Sequence, residues 1–172
     1  QSRIAASGQS YVLSSLVHSF ASDERIMHVQ TTRFGSVAIK ADDIILFPQG
    51  LFAFAQHRHW VLLADSANSA VGWLQSINDP CLTMAVVSPR RFTPEYRVRV
   101  ERKQLGPLQL DHANRPFVLT LVSHHEDKLT INLKAPVLIN LDRRLGVQVI
   151  VTDDQPLRLR VARAPETLRK TA

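Results

Sequence analysis

Short apolar runs recur along the body of this sequence at intervals of about 8–12 residues, and turn-forming residues separate them. Each run predicts a short β-strand. The predicted strands cover residues 29–32, 37–40, 44–47, 60–64, 71–77, 82–87, 96–101, 117–122, 129–133, 136–141 and 146–151. This spacing is typical of an antiparallel barrel or sandwich. We therefore expect an all-β fold, mainly an antiparallel β-barrel-like domain of short strands.

Three of these segments carry additional signals. Residues 96–101 alternate apolar and charged side chains, which is the period of a strand with one solvent-facing side. Residues 117–122 and 129–133 flank a polar stretch, residues 123–128, which we expect to be a loop. Helical signals are weak, and only residues 91–95 and 101–110 predict one or two short helical turns. Prolines interrupt anything longer, at Pro89, Pro94, Pro107 and Pro116.

The charge of the chain is unevenly distributed. The formal net charge is +6, but residues 27–154 hold 14 basic and 12 acidic residues, a net of +2. The residues from 155 onward carry five basic residues against one acidic residue, a net of +4. We expect three parts: an accessory, poorly ordered extension at residues 1–26 that precedes a candidate natural start at Met27, the barrel domain at residues 27–157, and a basic tail at residues 158–172 that begins with a short edge strand.

Several function classes find no support. The single cysteine, Cys81, excludes a disulfide within the chain and fits a reducing compartment. No apolar run approaches the roughly 20 residues of a membrane-spanning helix. There is no nucleophile elbow, glycine-rich phosphate loop or zinc-protease motif. We expect a cytoplasmic protein that is not an enzyme and holds no metal or cofactor.

Two histidine pairs are candidates for metal or hydrolytic chemistry. His57 and His59 are spaced to share one face of a strand, but no third ligand follows at a recognisable spacing. His124, His125 and Glu126 form a denser cluster, although adjacent residues of a strand point to opposite faces. A polar loop explains both pairs better. A metal enzyme or hydrolase around the second cluster remains an alternative.

Arginines in the body allow a different alternative, an RNA-binding β-barrel. Arg97 and Arg99 would lie on one strand face and form a stripe for phosphates, continued by Arg102 and the basic tail. Single-strand binding also needs exposed aromatic rings for base stacking. Phe92 and Tyr96 are the only aromatic residues close by. A solvated edge strand that resists aggregation is the simpler interpretation.

Four segments together resemble one protein family. They are F-G-S-V at residues 34–37 leading through I-I-L-F-P-Q-G-L at 44–51 to Phe54, W-L-Q-S at 73–76 followed by Pro80, T-I-N-L-K-A-P-V-L-I-N at 130–140, and G-V-Q-V-I at 146–150. In this order and spacing they resemble the flagellar assembly factor FliW. The resemblance covers about 120 residues.

The resemblance implies a protein without catalysis. Members of this family bind the translational repressor CsrA, relieve its silencing of flagellin messenger RNA, and also bind flagellin, so that flagellin synthesis follows export. No direct contact with nucleic acid or membrane is expected. The protein-binding residues that the resemblance implies are Phe47, Pro48, Gly50, Leu51, Phe54, Gln75, Ser76, Asn132, Pro136, Asn140 and Gln148.

The same residues have a physical interpretation. Pro48 and Gly50 favour a sharp corner, and we expect Phe47, Leu51 and Phe54 to close one end of the barrel. Pro136 interrupts sheet pairing and should lie at an edge or bulge.

This chain departs from the family pattern in two ways. Ala53 stands where the family often has glycine, so the corner loop is expected to differ. The body is slightly basic, whereas family members are commonly acidic.

Overall fold

Residues 25–161 are described by a computed structural model, and within them eleven strands form. The N-terminal extension up to residue 24 and the tail from residue 162 lie outside the described residues. The strands are β1 (Ile26–Thr31), β2 (Gly35–Lys40), β3 (Ile44–Leu46), β4 (His59–Ala64), β5 (Val71–Ser76), β6 (Thr83–Val87), β7 (Phe117–His125), β8 (Lys128–Ile131), β9 (Val137–Asn140), β10 (Leu145–Gln148) and β11 (Leu159–Arg160).

Seven strands close into a barrel. The order runs β7-β6-β5-β4-β3-β10-β9, and β9 pairs again with β7, at Phe117 opposite Ile139. All pairings are antiparallel except that of β3 with β10. Closure leaves no unpaired first or last strand in this part of the sheet, which removes the usual risk of edge aggregation.

Two hairpins lie against the barrel. β1 and β2 form a separate two-stranded sheet whose Val29, Val37 and Ile39 pack on the outer face of β4 and β5. In the turn between them, the Arg33 guanidinium stacks 3.7 Å from the Trp73 ring centroid. The second hairpin, β7–β8, continues past the barrel and takes β11 as its edge strand.

The alternation of side chains along each strand divides the core into an inner and an outer part. Trp60, Phe47 and Leu74 are fully buried in the inner cluster, within the barrel. Trp73 and Leu63 belong to the outer cluster beneath the β1–β2 hairpin. A third cluster forms where Leu108 covers the outer face of β9 and β10. Alternate residues of the same strand therefore face the inner cluster and an outer cluster.

Most predicted strands are confirmed, with end positions shifted by a few residues, but two predictions are wrong. Residues 96–101 form no strand, because no neighbouring strand pairs with them. The expected loop at residues 123–128 is largely strand, since β7 runs to His125 and turns within two residues. The expected short helical turns are confirmed as 3-10 turns, at Arg102–Leu108 and, shifted toward the N-terminus, at Pro89–Arg91. A further 3-10 turn, at Ala41–Asp43, was not expected.

Candidate protein-binding site

A compact double turn forms the corner that follows β3. The Gly50 amide donates to the Phe47 carbonyl at 2.9 Å, and the Phe54 amide donates to the Leu51 carbonyl at 2.8 Å. Gly50 has φ +68°, and a Cβ there would lie 2.5 Å from the Ala55 Cα, so only glycine fits. Ala53 takes φ +67°. Alanine therefore adopts the left-handed conformation, at the position where the resemblance led us to expect glycine.

Gln148 of β10 ties this corner to the barrel wall. Its Oε1 accepts the Phe52 amide at 2.9 Å, and its Nε2 donates to the Ala135 carbonyl at 3.1 Å. The side chain is only 7% exposed, so both ends of the amide are satisfied within the protein. The backbone on either side of the Gln148 side chain is thereby held in one position.

Strand directions bring nearly all the protein-binding residues that the resemblance implies, here called the nominated residues, to the same end of the barrel. β3 and β10 both run toward the corner, while β4 and β9 begin there. β5 ends at this level with Ser76 opposite Trp60. We call this end, with Phe47–Phe54 across it, the corner end. The nominated residues that lie there are Phe47, Pro48, Gly50, Leu51, Phe54, Gln75, Ser76, Asn132, Pro136 and Gln148.

Gln75 and Ser76 are fully buried at the end of β5. The Gln75 amide donates to the carbonyls of Ser76, Asp79 and Leu82, at 2.9, 3.0 and 3.2 Å, and Thr83 Oγ1 donates to its Oε1. Ser76 Oγ lies 3.3 Å from His57 Nδ1, which connects β5 to the corner loop. Both side chains hold the turn between β5 and β6 rather than face solvent.

Asn132 and Pro136 shape the interruption between β8 and β9. The Asn132 Oδ1 accepts the amides of Lys134 and Ala135, both at 3.0 Å, which folds the chain into a local turn. β8 pairs with β7 before this turn and β9 pairs with β7 after it, so the turn bulges out of a continuous partner of β7. Pro136 lies at this bulge, where a missing N–H costs no ladder bond.

Asn140 lies apart from the other nominated residues. It ends β9 at the opposite end of the barrel, where its Nδ2 donates to the Leu108 carbonyl at 2.9 Å. Its Oδ1 accepts the amides of Asp142 and Arg143. The side chain is 2% exposed, and its contacts hold the β9–β10 turn against the Arg102–Leu108 segment.

Apart from Phe54, the accessible part of the corner end consists of residues that the sequence did not point to. Phe52, at the tip of the corner, is 49% exposed, and Ile150, two residues beyond Gln148, is 52% exposed. Leu82, Met84 and Leu121 are half-buried and, with Phe54, pack on the inner cluster. We call these six residues the apolar rim. The signal in the sequence was Phe52 itself, a large apolar residue between two turn positions.

The histidine pairs do not converge. The His57 ring packs edge-on between Phe54 and Trp60, whereas His59 is exposed. His125 Nε2 lies 3.7 Å from Glu126 and 3.2 Å from Arg158 Nη1 at the tip of the β7–β8 hairpin. Within residues 25–161, no three His, Cys, Asp or Glu side chains form a group suited to a metal ion. No helix in this part of the chain is long and apolar enough to cross a membrane.

The candidate RNA stripe is incomplete. Tyr96 is 2% exposed and its hydroxyl donates to the Leu133 carbonyl at 2.7 Å, so the ring is unavailable for base stacking. Burial, with a smaller contribution from Asp153, raises the pKa of Tyr96 to about 12. The pKa of Asp153 is lowered, chiefly by the hydrogen bond from Gln155. Of the two aromatic residues expected beside the arginines, only Phe92 is exposed.

The fold and this end of it define a small all-β barrel in which buried side-chain amides, those of Gln75, Asn140 and Gln148, brace turns. A family model described as FliW protein matches residues 28–161. The flagellar assembly factor FliW of Bdellovibrio bacteriovorus is 33% identical over 130 residues, covering 74% of each chain. That of Natranaerobius thermophilus is 32% identical over 128 residues, covering 73% of this chain and 85% of the relative.

Structural comparison agrees. A crystal structure of the flagellar assembly factor FliW superposes with a TM-score of 0.72 at 30% identity, covering 78% of this chain and 96% of the solved one. The chain belongs to the FliW family.

Proposed function

We propose that this protein acts in flagellar assembly as a non-catalytic regulator in the cytoplasm, and that the corner end is its protein-binding site. Its partners would be a CsrA-type translational repressor and flagellin, bound in a mutually exclusive way. Binding of this protein to CsrA would release messenger RNA from CsrA. Flagellin would end this effect by displacing CsrA from the protein. If FliW and RNA bind different sites of CsrA, this antagonism needs a coupling free energy, commonly about 1–3 kcal/mol.

The observation that carries the proposal is the exposure of Phe52 and Ile150 within the apolar rim. Large apolar side chains that project from a rigid support are the usual anchors of protein interfaces. Gln148 fixes the main chain beneath Phe52 and lies two residues before Ile150. The motif residues that suggested binding thus support the surface from inside.

Buried polar side chains support a binding role over a catalytic one. Gln75, Asn140 and Gln148 are at most 7% exposed and bond to backbone groups of their own chain. Neutral amides engaged in this way stabilise turns and are poor general acids or bases.

Calorimetric titration with the cognate CsrA and with flagellin tests the proposal. The wild-type protein should bind both, and each partner should prevent binding of the other. Phe52→Ser combined with Ile150→Ser should weaken at least one complex roughly tenfold or more, since each anchor removes more than about 1 kcal/mol. Phe92→Ser is the matched control, because Phe92 is 41% exposed outside the apolar rim.

Two results would refute parts of the proposal. Absence of binding to both partners would refute the function. Binding that is equally weakened by Phe92→Ser and by the rim variant would refute the assignment of the corner end.

A further inference from the structure

Residues 96–100 have the side-chain alternation of a β-strand but form no strand, because no other strand pairs with them. Tyr96, Val98 and Val100 face inward and are buried or half-buried, while Arg97 and Arg99 face solvent. This alternation is that of a β-strand with one wet side. The segment nevertheless belongs to neither sheet of residues 25–161.

The main chain of this segment is incompletely bonded. The Tyr96 carbonyl accepts from Arg90 Nε at 3.3 Å, and the Arg99 carbonyl accepts from the amide and hydroxyl of Thr152, at 2.8 and 3.1 Å. Within residues 25–161, the amides of Arg97, Val98 and Val100 have no protein partner. Unpaired donors and acceptors in extended backbone are the template to which another strand adds.

The charge of the surface determines the kind of strand that fits. Arg97 and Arg99 are two positions apart on one face, which places their Cα atoms about 7 Å apart. Exposed cations also flank the segment, at Arg91 and Arg102. Three acidic side chains lie nearby: Glu95 is exposed two positions before Arg97, Glu101 is paired with Lys103 at 2.7 Å, and Asp153 interacts electrostatically with Arg99. The five basic side chains at positions 91, 97, 99, 102 and 103 outnumber them. A partner strand with a carboxylate at every second position would place its acidic side chains opposite these arginines, at the same spacing.

We propose that residues 96–100 form a second docking site, which binds an extended acidic segment of a partner protein by strand addition. The main chain would supply the hydrogen bonds, and Arg97 and Arg99 would select carboxylates at alternate positions. The site lies on the barrel wall and is independent of the corner end and of the partners bound there.

RNA is the competing occupant, and the structure favours the peptide. Tyr96 is buried and bonded to Leu133, so it offers no stacking platform. Phosphates would be attracted by the same arginines, but they would leave the amides of Val98 and Val100 unpaired. Protection of those two amides therefore distinguishes the two occupants.

The test uses the full chain and four probes: a capped Glu-Val repeat hexapeptide, its Lys-Val counterpart, an N-methylated Glu-Val version and oligouridine. We expect only the first to bind and to slow hydrogen exchange at Val98 and Val100. Arg97→Glu with Arg99→Glu should weaken binding roughly tenfold or more. The matched control, Arg115→Glu with Arg143→Glu, reverses two exposed arginines outside the segment and should bind normally.

Three outcomes would overturn the proposal. The first is that the Glu-Val peptide does not bind. The second is equal binding of the N-methylated peptide, which would mean that main-chain hydrogen bonds contribute nothing. The third is that oligouridine binds with a steep salt dependence and without protection of the two amides, which would identify a polyanion site instead.

Discussion

The ring of Phe47 lies directly on the main chain of Gly146. A methyl group at Gly146 would be 2.3 Å from Phe47 Cζ and 2.5 Å from Cε1, inside any permitted contact. Phe47 is fully buried directly after β3, and Gly146 lies in β10, the strand parallel to β3. Because Gly146 has no side chain, β10 leaves space there for the Phe47 ring that fills the corner end.

Gly146→Ala should destabilise the protein by about 1–3 kcal/mol, the usual cost of overpacking a close-packed core. Urea denaturation measures this as a lower midpoint. Gly106→Ala is the control, because a Cβ at Gly106 meets nothing within 4 Å. Phe47→Leu in the Gly146→Ala background should recover part of the loss. Equal midpoints for the two alanine variants would contradict the contact.

Ala53→Gly should stabilise the protein by about 1 kcal/mol, because the left-handed conformation at φ +67° strains an L-residue that has a Cβ. The thermal midpoint should rise. Ala55→Gly in the same loop, where φ is not positive, should lower it slightly or leave it unchanged. A lower thermal midpoint for Ala53→Gly would show that the turn is not strained.

Asn140→Ala should lower the free energy of unfolding by about 1–3 kcal/mol, since it leaves the buried Leu108 carbonyl without its donor. Because Asn140 lies at the far end of the barrel, affinity at the corner end should not change. The partially exposed Asn114, replaced by alanine, is the stability control. A selective loss of partner affinity by Asn140→Ala would instead make Asn140 a contact residue.

Stability should fall at high pH through Tyr96. Its pKa is raised to about 12 in the folded protein, above about 10 in the unfolded chain. The folded state therefore retains the proton longer, and this contribution, complete below pH about 10, is lost as pH rises toward about 12. Denaturation midpoints against pH should fall more steeply for the wild type than for Tyr96→Phe. Parallel curves would contradict the shift.

The strands were largely predictable because each one carries a local apolar run bounded by turn residues. Residues 96–101 show the limit of this signal. Their alternation is as regular as that of any strand, but pairing needs a neighbour, and the chain places none beside them. The converse also occurs: the polar residues His124 and His125 predict a loop, but they belong to β7 and pair with β8. The local side-chain pattern indicates only a preference for strand, and whether a strand forms depends on a neighbouring strand that pairs with it.

The candidate site shows a similar division. The motifs located the corner and the amides, since glycine, proline and buried amides are required where backbone turns. The motifs did not separate Asn140 from Gln148, because their positions at opposite ends depend on the direction in which β9 and β10 run. They also did not show that Gln75 faces its own backbone while Phe52 faces solvent.

By itself, the sequence determined the fold class, the positions of the turns and the family, because these depend on residues close together in the chain. Tertiary structure alone decided that the barrel closes through β7 and β9, which brings distant motifs to one end. It also decided that Phe47 rests on Gly146, a contact across almost 100 residues of chain that steric fit alone selects.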